Sequence, residues 1–129
     1  MSSPKHYKLD NLEVYQLARR LVKKVYYLSE KFPDKEKFNL SSQLTRAVIS
    51  VGANIAEGNG KFTPNDQRRF CFIARGSLFE VFFCLQVASD LGYITAEEFR
   101  TINLGIRNLS VKLNNYIGYL GRKSRCTIV

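Results

Sequence analysis

Apolar residues return every three or four positions along most of this chain, and turn-forming residues interrupt the rhythm at three places. Val14, Leu17, Leu21, Val25, Leu28 and Phe32 form the first stripe, and Leu40, Leu44, Ala47, Val48, Val51 and Ile55 the second. Phe70, Ala74, Ser77, Val81, Leu85 and Ala88 share a face of the third. Phe99, Ile102, Ile106, Leu109, Leu113, Tyr116 and Leu120 make the fourth. That spacing is the period of a helix with one buried side.

The interruptions carry helix punctuation. Asp10 with Glu13 resembles a capping box, and Pro33-Asp34 breaks the first helix. Gly58-Asn59-Gly60 ends the second. Thr63-Pro64 opens the third as N-cap and first-turn proline, and Gly92 stops it. Thr95 with Glu98 is a full capping box for the fourth, which Gly121 ends. The pattern therefore predicts helices over 10–32, 36–58, 63–91 and 95–120, with a basic tail over 121–129, in one domain spanning 1–129. Short connections make successive helices antiparallel neighbours. The expected fold is all-α, an up-down-up-down four-helix bundle.

The third stripe has an apolar excess. Phe72, Gly76, Phe79 and Phe83 lie opposite its core face, and Leu104, Val111 and Gly118 repeat the theme on the fourth helix. Contiguous exposed apolar surface marks a partner interface, so Phe72, Gly76, Phe79, Phe83, Leu104 and Val111 are the candidates for contacts between copies of the chain. No apolar run approaches the ~18 residues of a membrane span, the longest being Val81–Leu85, and the start of the chain lacks a secretory pattern. A cytoplasmic protein without a membrane partner is expected.

Charge is the second departure from a plain bundle. Lys and Arg number 20 against 11 Asp and Glu, a formal net charge of +9. Phe99 to Val129 holds six basic residues and no acidic one, and the chain up to Lys31 holds seven against three. Such a field favours nucleic acid or another polyanion, where the plain alternative is solubility alone. Arg20, Lys23, Lys24, Tyr27 and Lys31 share the outer face of the first helix. With Arg100, Arg107, Arg122, Lys123 and Arg125 they form the candidate phosphate contacts, RNA or DNA alike, because phosphate contacts carry no base preference.

Catalysis finds little support. Cys71, Cys84 and Cys126 are scattered, no C-x-x-C pair exists and His6 is the sole histidine, so neither a metal nor another cofactor is expected. Gly58-Asn59-Gly60-Lys61-Phe62 fails as a phosphate loop, because Phe62 stands where Ser or Thr is needed and a helix precedes it. Glu57, Arg75 and Glu80, with Arg46 and Asn54, read as a structural polar network between the second and third helices rather than as an acid–base set.

Ordered along the chain, Leu12–Gln16, Phe32-Pro33, Gln43–Ala47, Asn54–Gly58 and Ala74–Ser77 with Glu80 resemble the bacterial four-helix bundles known as large-subunit rRNA intervening-sequence proteins, over about residues 9–120. The accessory variability determinants of diversity-generating retroelements are similar to that family. Those determinants assemble as a barrel-like homopentamer with a basic surface and bind nucleic acid and a reverse transcriptase, so the resemblance implies a homo-oligomeric nucleic-acid-binding accessory protein or, as the alternative, a protein-interaction scaffold that docks a partner such as a reverse transcriptase. It supplies no catalytic residues. Phe79 and Val81-Phe82-Phe83 depart from the usual pattern, which has small or polar residues there.

Overall fold

The computed structural model describes residues 8–126. Four helices carry the architecture: α1 (Glu13–Ser29), α2 (Leu40–Asn59), α3 (Pro64–Asp90) and α4 (Ala96–Cys126), with a 3-10 turn at Asp34–Glu36. Each packs on its neighbours in sequence, and α1 closes the bundle against α4. Glu13 at the start of α1 pairs with Lys112 of α4 at 3.6 Å. Lys31, just past the other end of α1, pairs with Glu98 in the first turn of α4. The two helices are therefore antiparallel.

The core follows the stripes with small changes of phase. Val14, Leu21, Val25, Leu28 and Phe32 are buried from the first stripe, and Ala18 replaces Leu17, which is only partly covered. On α4 the buried set is Ile102, Ile106, Leu109, Leu113, Ile117 and Leu120, while Phe99 and Tyr116 flank it. On α3, Cys71, Leu78 and Cys84 are buried with Ala74, Val81, Leu85 and Ala88. By length and composition α3 could cross a membrane. Here it is one leg of the bundle, with its apolar excess divided between core and surface.

Three boundaries differ from the sequence reading. Asp10 does not cap the first helix. Residues 8–10 are helical, Leu12 is the N-cap without a side-chain bond, and α1 begins at Glu13. The Asp10 carbonyl instead accepts from Gln16 Nε2 at 2.7 Å. The second helix begins at Leu40 rather than 36, because Pro33, Asp34 and Glu36 carbonyls accept i+3 bonds from Glu36, Lys37 and Asn39. Glu36 turns its carboxylate to the Leu40 N–H and to the Tyr93 hydroxyl, which donates at 2.7 Å. Gly121 does not end α4. It is a buried position inside the helix, where a Cβ would lie 3.2 Å from Arg68 Nε. Arg122, Lys123 and Arg125 therefore stand on an ordered last turn, not on a tail. His6, the Cys126 side chain and residues 127–129 lie outside the described residues.

Other signals hold. The Asp66 N–H donates to Thr63 Oγ1 at 3.2 Å. Thr95 N–H donates to Glu98 Oε1 at 2.9 Å while Glu98 N–H donates to Thr95 Oγ1 at 3.0 Å, the reciprocal pair of a capping box. Gly92 has φ +77°, and the Gly92 and Tyr93 N–H groups bond Ser89 and Ala88 carbonyls. That closes α3 in a Schellman turn, which needs the left-handed residue.

Candidate nucleic-acid interface

All ten candidate binding residues are exposed, but the bundle does not gather them into one surface. Lys23, Lys24 and Tyr27 line a groove between α1 and α4 that also holds Glu97 and Glu98. Lys31 is spent on Glu98, and the Lys31 ammonium also lies 5.1 Å from the Tyr27 ring. The shared hydrogen bond raises the Lys31 pKa and, from the other side, lowers that of Glu98 below its ordinary 4.5. The acidic first turn of α4 thus balances part of the basic face of α1. Among the described residues, Arg20, Lys23, Lys24, Arg100, Arg107, Arg122 and Arg125 have no carboxylate within ion-pair distance.

A second basic region gathers where α1 and α3 begin and α2 and α4 end. Lys8, Asn59, Gln67, Tyr116, Tyr119 and Lys123 line one recess there. Arg68 packs its guanidinium on Gly121, with its Nε buried and unbonded. Arg68 and Arg75 lie over the Phe72 ring at 5.1 and 4.9 Å, distances at which a guanidinium gains from the ring face. Arg75 also donates to Asn114 Oδ1 of α4 at 3.1 Å. The sequence reading left Lys8 and Arg68 out of the candidates, because it weighed charge helix by helix. The adjacent Arg68-Arg69 pair one turn into the third helix was the available signal.

The polar network between the second and third helices is corrected. Arg46, Glu57 and Glu80 are exposed, and among the described residues no ion pair or hydrogen bond joins Glu57, Arg75 and Glu80. Arg46 and Glu80 line the α2/α3 groove without pairing. The bond across α2 and α3 is instead a hydroxyl pair, Ser50 Oγ to Ser77 Oγ at 2.8 Å, with Asn54 Nδ2 donating to Ser50 Oγ at 3.0 Å. Gly58 sets the close approach, since a Cβ there would come within 2.8 Å of Phe70 Cβ. Small residues bring the helices together, and long charged side chains are pushed to the rim.

Every apolar interface candidate is at the surface. Phe79 is 65% exposed, Phe83 57%, Leu104 68% and Val111 57%, with Phe72 and Gly76 beside them. Phe38, Ile49, Phe62, Ile73 and Leu91 are exposed as well. The α3 ridge separates two grooves. On the α2 side, Phe38, Phe83 and Leu91 lie near Glu36, Arg46 and Glu80. On the α4 side, Phe79 and Phe82 lie near Arg75 and Arg107.

Burial also disarms the thiols. Desolvation pushes the Cys71 pKa up to about 11 and raises that of Cys84, the latter also through Glu80. It lifts the Tyr116 phenol to about 12. Among the described residues no three of His, Cys, Asp and Glu converge as metal ligands.

The fold and sequence have known counterparts. A crystal structure from Bacteroides thetaiotaomicron, described as a protein of unknown function from the S23 ribosomal protein family, superposes with a TM-score of 0.75 at 25% identity. The match covers 81% of this chain and 97% of that one. No curated protein matches the chain. The family model for the 23S rRNA-intervening sequence protein matches residues 10–115, so the chain belongs to that family.

Proposed function

We propose that the chain is a non-enzymatic, nucleic-acid-binding accessory protein that works as a homo-oligomer, with a pentamer as the expected form. The observation that carries this reading is the set of seven exposed cations on α1 and α4 that lack a carboxylate partner among the described residues. In a chain of net charge +9 they create a field that attracts phosphates and repels other cations. Dispersed contacts of this kind are weak one at a time. Repetition around an assembly converts them into useful affinity, because each later contact forms at high local concentration.

Assembly is supported by the apolar surface. Phe83 with Phe38 and Leu91 offers large exposed side chains on the α2 side of α3, each worth about 2–3 kcal/mol when buried. Leu104 and Val111 offer a second, separate patch on α4. The non-enzymatic part is supported by the elevated pKa values of Cys71 and Cys84 and by the separation of Glu57, Arg75 and Glu80, which no ion pair joins among the described residues.

Light scattering at micromolar concentration, together with binding to a structured RNA across a salt series, tests the proposal. The expected result is a mass several times that of the chain and an affinity that falls steeply between about 50 and 200 mM salt. A monomer overturns the assembly, and an affinity indifferent to salt overturns the electrostatic binding.

A further inference from the structure

Grooves along three of the helix pairs differ in charge. The α1/α4 groove contains Glu97 and Glu98, and the α2/α3 groove contains Glu36 and Glu80. The α3/α4 groove, of about 330 Å³, contains two arginines and no carboxylate. Its floor is Leu78 and Ile106, both buried, with Phe82 fixed by a tilted contact to Phe99 at 6.0 Å. Its rim is Arg75, Phe79 and Arg107, and Asn103 and Ser110 face in from α4.

The rim is partly preorganised. Arg75 is splinted between the Phe72 ring and Asn114. Phe79 is 65% exposed, and among the described residues no aromatic or cationic group covers its ring. The side chains of Asn103 and Ser110 make no hydrogen bond among the described residues. A bare phenyl face, two flanking guanidinium groups and two unengaged polar groups match one ligand chemistry. The face stacks on a planar base, the cations take the adjacent phosphates, and the amide and hydroxyl serve base or sugar.

We propose that the α3/α4 groove binds single-stranded nucleic acid, with Phe79 stacking on an unpaired base and Arg75 and Arg107 holding the phosphates beside it. This rests on the nucleic-acid-binding reading above and adds to it strandedness and location. In a duplex each base is already stacked on its neighbours, so an exposed ring gains nothing from it; an unpaired base gains the whole contact. A second copy of the chain is a poorer occupant, because its own α4 ridge carries Arg100 and Arg107 and would meet Arg75 with like charge.

Fluorescence anisotropy decides it, using labelled oligoadenylate RNA, alone and annealed to its complement. The proteins are the parent, Phe79→Ala, Phe79→Trp, Arg107→Ala and, as a control outside every proposed contact, Lys35→Ala at the exposed 3-10 turn, with the mass of each taken by light scattering. Phe79→Ala is expected to bind the single strand about five- to a hundredfold more weakly, with unchanged duplex affinity and mass. Phe79→Trp keeps the affinity, and Arg107→Ala reduces the salt slope by about one. Single-strand affinity that survives Phe79→Ala overturns the proposal, and so does a change of mass, which assigns Phe79 to a subunit contact. Parent protein that binds duplex and single strand alike also overturns it while leaving the general reading intact. Failure to bind either overturns both.

Discussion

Gly58 and Gly76 sit in neighbouring helices and are expected to respond to alanine in opposite directions. At Gly58 an added Cβ would lie 2.8 Å from Phe70 Cβ and 3.1 Å from the Gln67 carbonyl oxygen. Neither is the loose end of a side chain, so α2 and α3 must part. Overpacking of that kind costs about 1–3 kcal/mol. Alanine recovers only part of its helix preference of about 1 kcal/mol, since Gly58 is in the last turn of α2. The net loss is about 1–2 kcal/mol. At Gly76 a Cβ would meet nothing within 4 Å, and the position is mid-helix and exposed. There alanine stabilises by about 0.5–1 kcal/mol through backbone entropy. A chain of this size shifts by about 3–5 °C per kcal/mol. Gly58→Ala should melt about 3–10 °C below the parent and Gly76→Ala about 2–5 °C above it, by circular dichroism at low and high protein concentration. A Gly58→Ala protein that melts with the parent would refute the close-approach reasoning. A Gly76→Ala protein that melts lower would mean that atoms from outside the single chain cover that face.

Three further outcomes follow from particular contacts. Thr63→Ala removes the cap on the Asp66 N–H and should cost about 0.5–2 kcal/mol in denaturant titration, whereas Thr63→Ser should cost little. Glu98 has its pKa lowered by Lys31 and by Thr95, so its contribution is present above its ordinary pKa of 4.5 and is lost as pH falls below it. The melting temperature of Glu98→Gln should accordingly fall less than that of the parent on acidification, and parallel curves would contradict the pairing. Buried Cys71 and Cys84, with raised pKa values, should resist iodoacetamide in native protein at neutral pH and react once unfolded. Peptide mass mapping that finds them alkylated in the native state would show that α3 opens readily.

Much of this arrangement is legible in the chain because it is local. A helix stripe, a threonine cap and a glycine stop are decided within one or two turns of backbone, and Thr63, Thr95 and Gly92 do in the structure what their neighbours in sequence require. Gly121 shows the limit. By local rules it is a stop, but Gly121 does not adopt the left-handed conformation of a stop, α4 runs on through it, and the Arg68 guanidinium from α3 lies where a side chain would stand. Glu57, Arg75 and Glu80 show it again. Their places on adjacent helices suggested one network between the second and third, but helix geometry sends Arg75 across to Asn114 and leaves both glutamates in solvent.

The sequence by itself determined four amphipathic helices, their connections, the excess of positive charge and the surplus of phenylalanine on α3, since each is a matter of composition or of a period along one element. Only the tertiary structure decided which charges remain unpaired. Lys31 is neutralised by Glu98, 67 positions away, and Arg75 is brought into an acid-free groove with Arg107. Pair energies depend on distances between elements, and those distances are set by where the backbones can touch, at Gly58 against Phe70 and Ser50 against Ser77.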